Sequence, residues 1–207
     1  MTDRPIIFST PMVRALLAGG LSQTRRVLKE QRHVAYPMFS GGRWQWHGTT
    51  GAVLSDVVVP YAPGDRLWVK EAFVRYHELD DCDMRVGPLK VAYKADGGFR
   101  WLDADTDEFR DSPPWGSPFY MPRWASRLTL LVTDVRVQRL QEISRGDAME
   151  EGCPFANMAD GPNPRDWYRD IWNSIHGPDA WDRNPWCVAV SFETHRCNID
   201  KMTEGTW

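Results

Sequence analysis

The stretch RLTLLVTDVRVQRL, Arg127 to Leu140, constrains the fold of this chain more than any other. Apolar and polar residues alternate along it, the period of a strand with one buried face, and Thr133-Asp134 marks a bend or bulge. Shorter strands are expected at Ile6–Ser9, in SQTRRVLK, across the PGDRLWVKEAFVRY segment, at Val91–Asp96 and at Pro185–Glu193. Three helices are expected between them. The first has Thr10 as N-cap and Pro11 in its first turn, carries Met12, Val13, Leu16 and Leu17, and stops at Gly19-Gly20. The second is SRGDAMEEG, with Ser144 as N-cap, Asp147 at the reciprocal position and Gly152 as the stop. The third begins at Asn163-Pro164 and carries an apolar stripe of Trp167, Ile171, Trp172 and Ile175.

Strands outnumber helices and do not alternate regularly with them, which disfavours a doubly wound sheet. The expected fold class is α+β: a mostly antiparallel β-barrel with flanking helices. Two long insertions interrupt it. Residues 30–62 read as irregular, with a hairpin around GGRWQWHG, and residues 97–122 as a long loop rich in Gly, Pro and Asp. One domain over 1–197 is expected, followed by a disordered tail, 198–207.

The chain has 207 residues, with 25 Lys+Arg against 28 Asp+Glu. Its mean hydropathy is -0.50, and no apolar run approaches the ~18 residues of a membrane span. MTDRPIIFSTPMV has no signal-peptide pattern. Cys82, Cys153, Cys187 and Cys197 lack ligand spacing, so a reduced, cytoplasmic setting without structural zinc is expected. GxGxxG, Walker and HExxH motifs are absent, so no cofactor is expected. The acidic run Asp103, Asp105, Asp107 and Glu108 lacks the glycine of a calcium loop and reads as solvated. His33, His47, His77, His176 and His195 show no spacing for a metal or a triad.

Two features point toward nucleic acid. Residues 1–50 hold seven Lys+Arg against two acids, while 151–207 hold five against nine; the basic end is either a phosphate-facing surface or ordinary surface charge. Tryptophan occurs 11 times. Most of these rings are expected to pack, and a few to present faces to a base.

Three ordered blocks resemble a known family: LLAGGLSQTRRVLK (Leu16 to Lys29), PGDRLWVKEAF (Pro63 to Phe73) and MPRWASRLTLLVTDVRVQRLQEISRGDAMEEG (Met121 to Gly152). Together they resemble the ASCH-domain superfamily, whose fold is a PUA-like β-barrel, and most of all its bacteriophage-encoded "morphogenetic" members. The resemblance implies a cleft that binds nucleic acid or a modified nucleotide. It also raises two other readings: an amidohydrolase removing an acyl group from N4-acylated cytidine, and a phage accessory or assembly protein with a protein partner. For hydrolysis it implies Thr24 and Glu151 as catalytic residues, but Leu21 stands where the family has its lysine. A hydroxyl without an adjacent base is a poor nucleophile near neutral pH.

The expected ligand residues are Thr24, Arg25, Arg26, Glu71, Arg123, Trp124 and Arg127. Arg25 and Arg26 either grip phosphate or are solvated. Glu71 either forms a structural salt bridge near Lys70 or reads a base amino group. Arg123, Trp124 and Arg127 either hold a base and its phosphate or clamp the loop to the barrel. The chain is acidic overall, so RNA, single-stranded DNA or a modified nucleoside fits better than a long duplex.

Overall fold

The structure is a computed structural model that describes residues 1–82, 84–97, 101–103, 108–110, 114–155 and 161–202. In chain order its elements are β1 (Asp3–Ile7), α1 (Thr10–Ala18), β2 (Gln23–Val27), β3 (Ala35–Ser40), β4 (Arg43–Gly48) and β5 (Val53–Asp56). There follow β6 (Arg66–Lys70), β7 (Phe73–Leu79), β8 (Arg85–Tyr93), β9 (Trp101–Asp103) and β10 (Glu108–Arg110). The chain continues through β11 (Thr129–Arg139), α2 (Arg145–Glu150), α3 (Pro164–His176) and β12 (Trp186–His195). The fold is α+β with mostly antiparallel sheets, and no sheet closes into a barrel among the described residues. None of the described helices is long and apolar enough to cross a membrane.

The chain divides into two compact units. The first holds residues 1–2, 19–65 and 131–193, and the second 3–18, 66–130 and 194–207; β11 and β12 each run from one into the other.

In the first unit, β12 pairs antiparallel with β2, and Val190 lies opposite Thr24. The expected irregular insertion is a three-stranded meander, β3-β4-β5. Gly41 and Gly42 link Ser40 to Arg43 with φ of 58° and 80°. Both are positive, as a type I′ hairpin turn requires, and glycine adopts that conformation without strain. Trp46 of β4 is fully buried and meets Trp186 edge-on at 5.8 Å between ring centres. Leu140, Ile143, Ala148, Tyr168, Trp172, Ala180, Trp181 and Cys187 form the core under α2 and α3. The buried face of α3 is Pro164, Tyr168 and Trp172, whereas Ile171 and Ile175 of the expected stripe are exposed. The tyrosine phenol finds a buried partner, and that rotates the buried face away from the isoleucines.

In the second unit, β1 and β6 run parallel, with Ile6 opposite Val69. α1 begins after Ser9, whose carbonyl accepts from Val13 N–H at 2.9 Å, one residue earlier than the expected cap. The PGDRLWVKEAFVRY segment is two strands, β6 and β7, and β7 pairs antiparallel with β8. The expected loop at 97–122 contains two short strands, β9 and β10, paired antiparallel; Asp105 and Asp107 lie outside the described residues. Part of the expected tail is ordered: Ile199–Lys201 forms a 3-10 turn, and Ile199 and Met202 are buried.

Candidate functional site

Strand alternation sorts the residues of β2. Gln23 and Arg25 share one face, and Thr24 and Arg26 the other. The face of Gln23 and Arg25 meets α2. Arg25 Nη1 donates to Glu151 Oε1 and to Gln23 Oε1, both at 2.6 Å. Its Nη2 lies 3.2 Å from Asp147 Oδ2, and its Nε is buried without a hydrogen-bond partner. Gln23 Nε2 donates to Glu150 Oε2 at 3.0 Å and to Ser191 Oγ at 3.1 Å. Asp147 serves twice. It closes the capping box of α2 with Ser144, and it accepts from Arg136 Nη2 at 2.7 Å.

This is a buried charge network, with the Arg25 side chain fully shielded from water. Burial pushes the Glu151 carboxyl up to about 7, against the lowering effect of the Arg25 charge and of hydrogen bonds from Arg25 and Tyr168. Asp147 is held well below the usual carboxylate range: its burial is outweighed by Arg136, Ser144 and Arg25. Burial also pushes the Cys187 thiol up to about 12, so it carries no reactive thiolate.

The raised Glu151 carboxyl has a consequence for stability. Its ordinary value is 4.5, so the folded chain holds this proton more tightly than the unfolded chain. The group's contribution is full below pH 4.5 and is lost as pH rises through about 7. Glu151→Gln, neutral at every pH, is expected to flatten that decline in urea unfolding. An unchanged pH slope in the variant would show that another group carries it.

In the second unit, Glu71 is buried at the end of β6 and receives a bidentate pair from Arg127, Nε at 2.8 Å and Nη2 at 3.0 Å. The salt bridge expected near Lys70 is therefore made with Arg127. Burial raises the Glu71 carboxyl, and Arg127 offsets only part of that rise. Arg127 also grips Asp96 at 2.8 and 2.9 Å and stacks 3.9 Å over the Tyr93 ring. Arg123 donates to Asp200 at 2.8 Å and to Asp3 at 2.6 Å, and Asp3 is shared with Arg66. Both arginines act as clamps, and the ring beneath Arg127 is Tyr93 rather than Trp124.

Compared with protein families, curated proteins and solved structures, the chain matches none.

The expected site residues are placed as follows. Thr24, Arg25, Arg26 and Glu151 belong to the first unit, and Glu71, Arg123, Trp124 and Arg127 to the second. Arg25 meets Glu151, and Glu71 meets Arg127. Thr24 is buried on the face of β2 opposite Arg25, so the strand does not bring its hydroxyl to Glu151. The catalytic pairing of Thr24 with Glu151 has no geometry to support it. Among the described residues, no group of three His, Cys, Asp or Glu side chains is arranged to hold a metal.

Sequence reasoning passed over Gln23, Arg136, Asp147 and Tyr168 as partners of the expected residues. The i, i+2 spacing of Gln23 and Arg25 on a strand was the available signal. It also passed over the neighbours of Trp124. Phe119, Tyr120 and Trp124 are 66%, 78% and 53% exposed, and the Lys70 ammonium sits 5.3 Å from the Phe119 ring and 5.4 Å from that of Trp68. The segment carrying these rings is firmly held. Met121 and Ala125 are buried under it. The Asn198 amide donates to the carbonyls of Arg123 at 2.8 Å and Ser126 at 2.7 Å. Lys70 Nζ donates to the Phe119 carbonyl.

Proposed function

We propose that the protein binds single-stranded nucleic acid, with successive bases stacking on Phe119, Tyr120 and Trp124 and with Lys70 beside the backbone phosphates. One observation carries this reading: three large aromatic rings are held in water on a segment fastened through its own backbone. Exposing such rings on an ordered segment is unfavourable unless a ligand covers them. Every base has a π-face, so rings beside a cation suit a strand of any sequence. The resemblance to the ASCH superfamily, with its PUA-like barrel and its phage-encoded members, supports the same ligand class. The clamped Arg123 and Arg127 then position the platform rather than contact phosphate.

Anisotropy titration of labelled 12-mer RNA and DNA at several salt concentrations tests the proposal. Trp124→Ala and Phe119→Ala are each expected to weaken binding by about 5- to 100-fold, the scale of one lost base stack. Lys70→Gln is expected to make the salt dependence shallower. Absence of binding at low salt would overturn the proposal, as would wild-type affinity in both aromatic variants.

A further inference from the structure

The first unit contains an open cleft of about 560 Å3 that the reading above leaves unused. Arg139, Arg183, His33 and His176 bring nitrogen to its lining, Trp172 and Pro185 contribute apolar wall, and no carboxylate is among the described residues that line it.

Arg139 projects from the end of β11. Its guanidinium donates to the carbonyls of Asn184 at 3.0 Å and Arg32 at 3.4 Å, and lies 4.2 Å over the Trp186 ring. A guanidinium carries five N–H groups, so donors remain. Arg183 sits on the loop after α3, which is pinned back to the helix where Trp181 N–H donates to Asn173 Oδ1 at 2.8 Å. Arg183 donates to the His176 carbonyl at 3.3 Å. Neither arginine forms an ion pair among the described residues. Two fixed cations beside an apolar wall, with no carboxylate to neutralise them, suit an anion.

The wall is aromatic as well as apolar. The His176 ring lies 4.2 Å from that of Trp172, tilted by 35°. Partial burial, together with the charges of Arg26 and Arg183, lowers the His176 value, so the imidazole stays neutral near pH 7 and behaves as a flat ring. A cleft of this volume suits a small molecule rather than a polymer.

The geometry points to a mononucleotide site: a nucleoside monophosphate with its phosphate on Arg139 and Arg183 and its base against His176, whose ring is backed by the buried Trp172. This site shares no residue with the aromatic platform, so each stands or falls on its own.

Titration calorimetry with AMP and CMP, with inorganic phosphate and adenosine as controls, tests it. A mononucleotide is expected to bind once per chain, more tightly than either control. Arg183→Gln is expected to weaken it by about tenfold or more, the scale of one charge-assisted hydrogen bond. Arg183→Lys is expected to recover part of the loss. Arg183 is exposed, so unchanged thermal unfolding in both variants is expected to confirm that the fold is intact. Trp124→Ala is expected to leave mononucleotide binding unchanged, which separates this site from the platform. Absence of heat with either mononucleotide, equal affinity for inorganic phosphate, or full affinity in Arg183→Gln would overturn the assignment.

Discussion

Replacing Arg25 with leucine is expected to lower the free energy of unfolding by about 3–5 kcal/mol near pH 8, the scale for breaking a buried ion pair from one side. The guanidinium is the shared donor of this network, at 2.6 Å from both Glu151 and Gln23. Without it, the Glu151 carboxylate is buried opposite a hydrocarbon, and the Gln23 carbonyl loses its donor. The loss depends on pH in a defined direction. Arg25 is what lowers the Glu151 value, so the variant raises it further and Glu151 folds protonated over a wider range. The destabilisation is therefore expected to be smaller at pH 5 than at pH 8. Chemical denaturation at both pH values measures it. A loss under about 1 kcal/mol at pH 8 would mean that water reaches the stranded carboxylate.

Trp46→Ala is the second large effect. The indole is fully buried, edge-on to Trp186, with the Arg32 guanidinium 5.9 Å from its ring. Removing such a side chain leaves a cavity and costs about 3–5 kcal/mol. Trp44, two residues earlier on the same face of β4 but nearer its start, is only half-buried, so Trp44→Ala is expected to cost about 1 kcal/mol or less. Thermal unfolding of the pair measures the contrast. Equal losses would show that the β3-β5 meander is not anchored through Trp46 alone.

These two residues also show what could be read in the chain beforehand. The long strand at Arg127–Leu140, the Ser144/Asp147 capping box and the Asn163-Pro164 helix start were legible because each is local: alternation, a side chain reaching its own backbone, a preset φ. Trp46 was not. A tryptophan in a polar, glycine-flanked stretch has the same appearance whether it packs or stacks, and only residues far along the chain decide. The side chains of Arg25, Arg123 and Arg127 were legible as special but not in their role. Their carboxylate partners lie up to 126 positions away, as Glu151 does from Arg25. Tyr168 was passed over, and the expected stripe of Trp167, Ile171, Trp172 and Ile175 included two isoleucines that the fold leaves exposed. The barrel expectation came from counting strands, and the number of strands in a chain does not determine whether a sheet closes.

Asn198 and Asp200 bind the segment that displays Phe119, Tyr120 and Trp124, from some 75 residues downstream. The presentation of those rings is thus under the control of a short latch at residues 198–200. A protease trimming the chain back to Cys197 would remove the amide under the Arg123 and Ser126 carbonyls and one of the two carboxylates on Arg123. The same cut strips the buried Ile199 and Met202 from the core, so an affinity measured on shortened protein would describe a different surface.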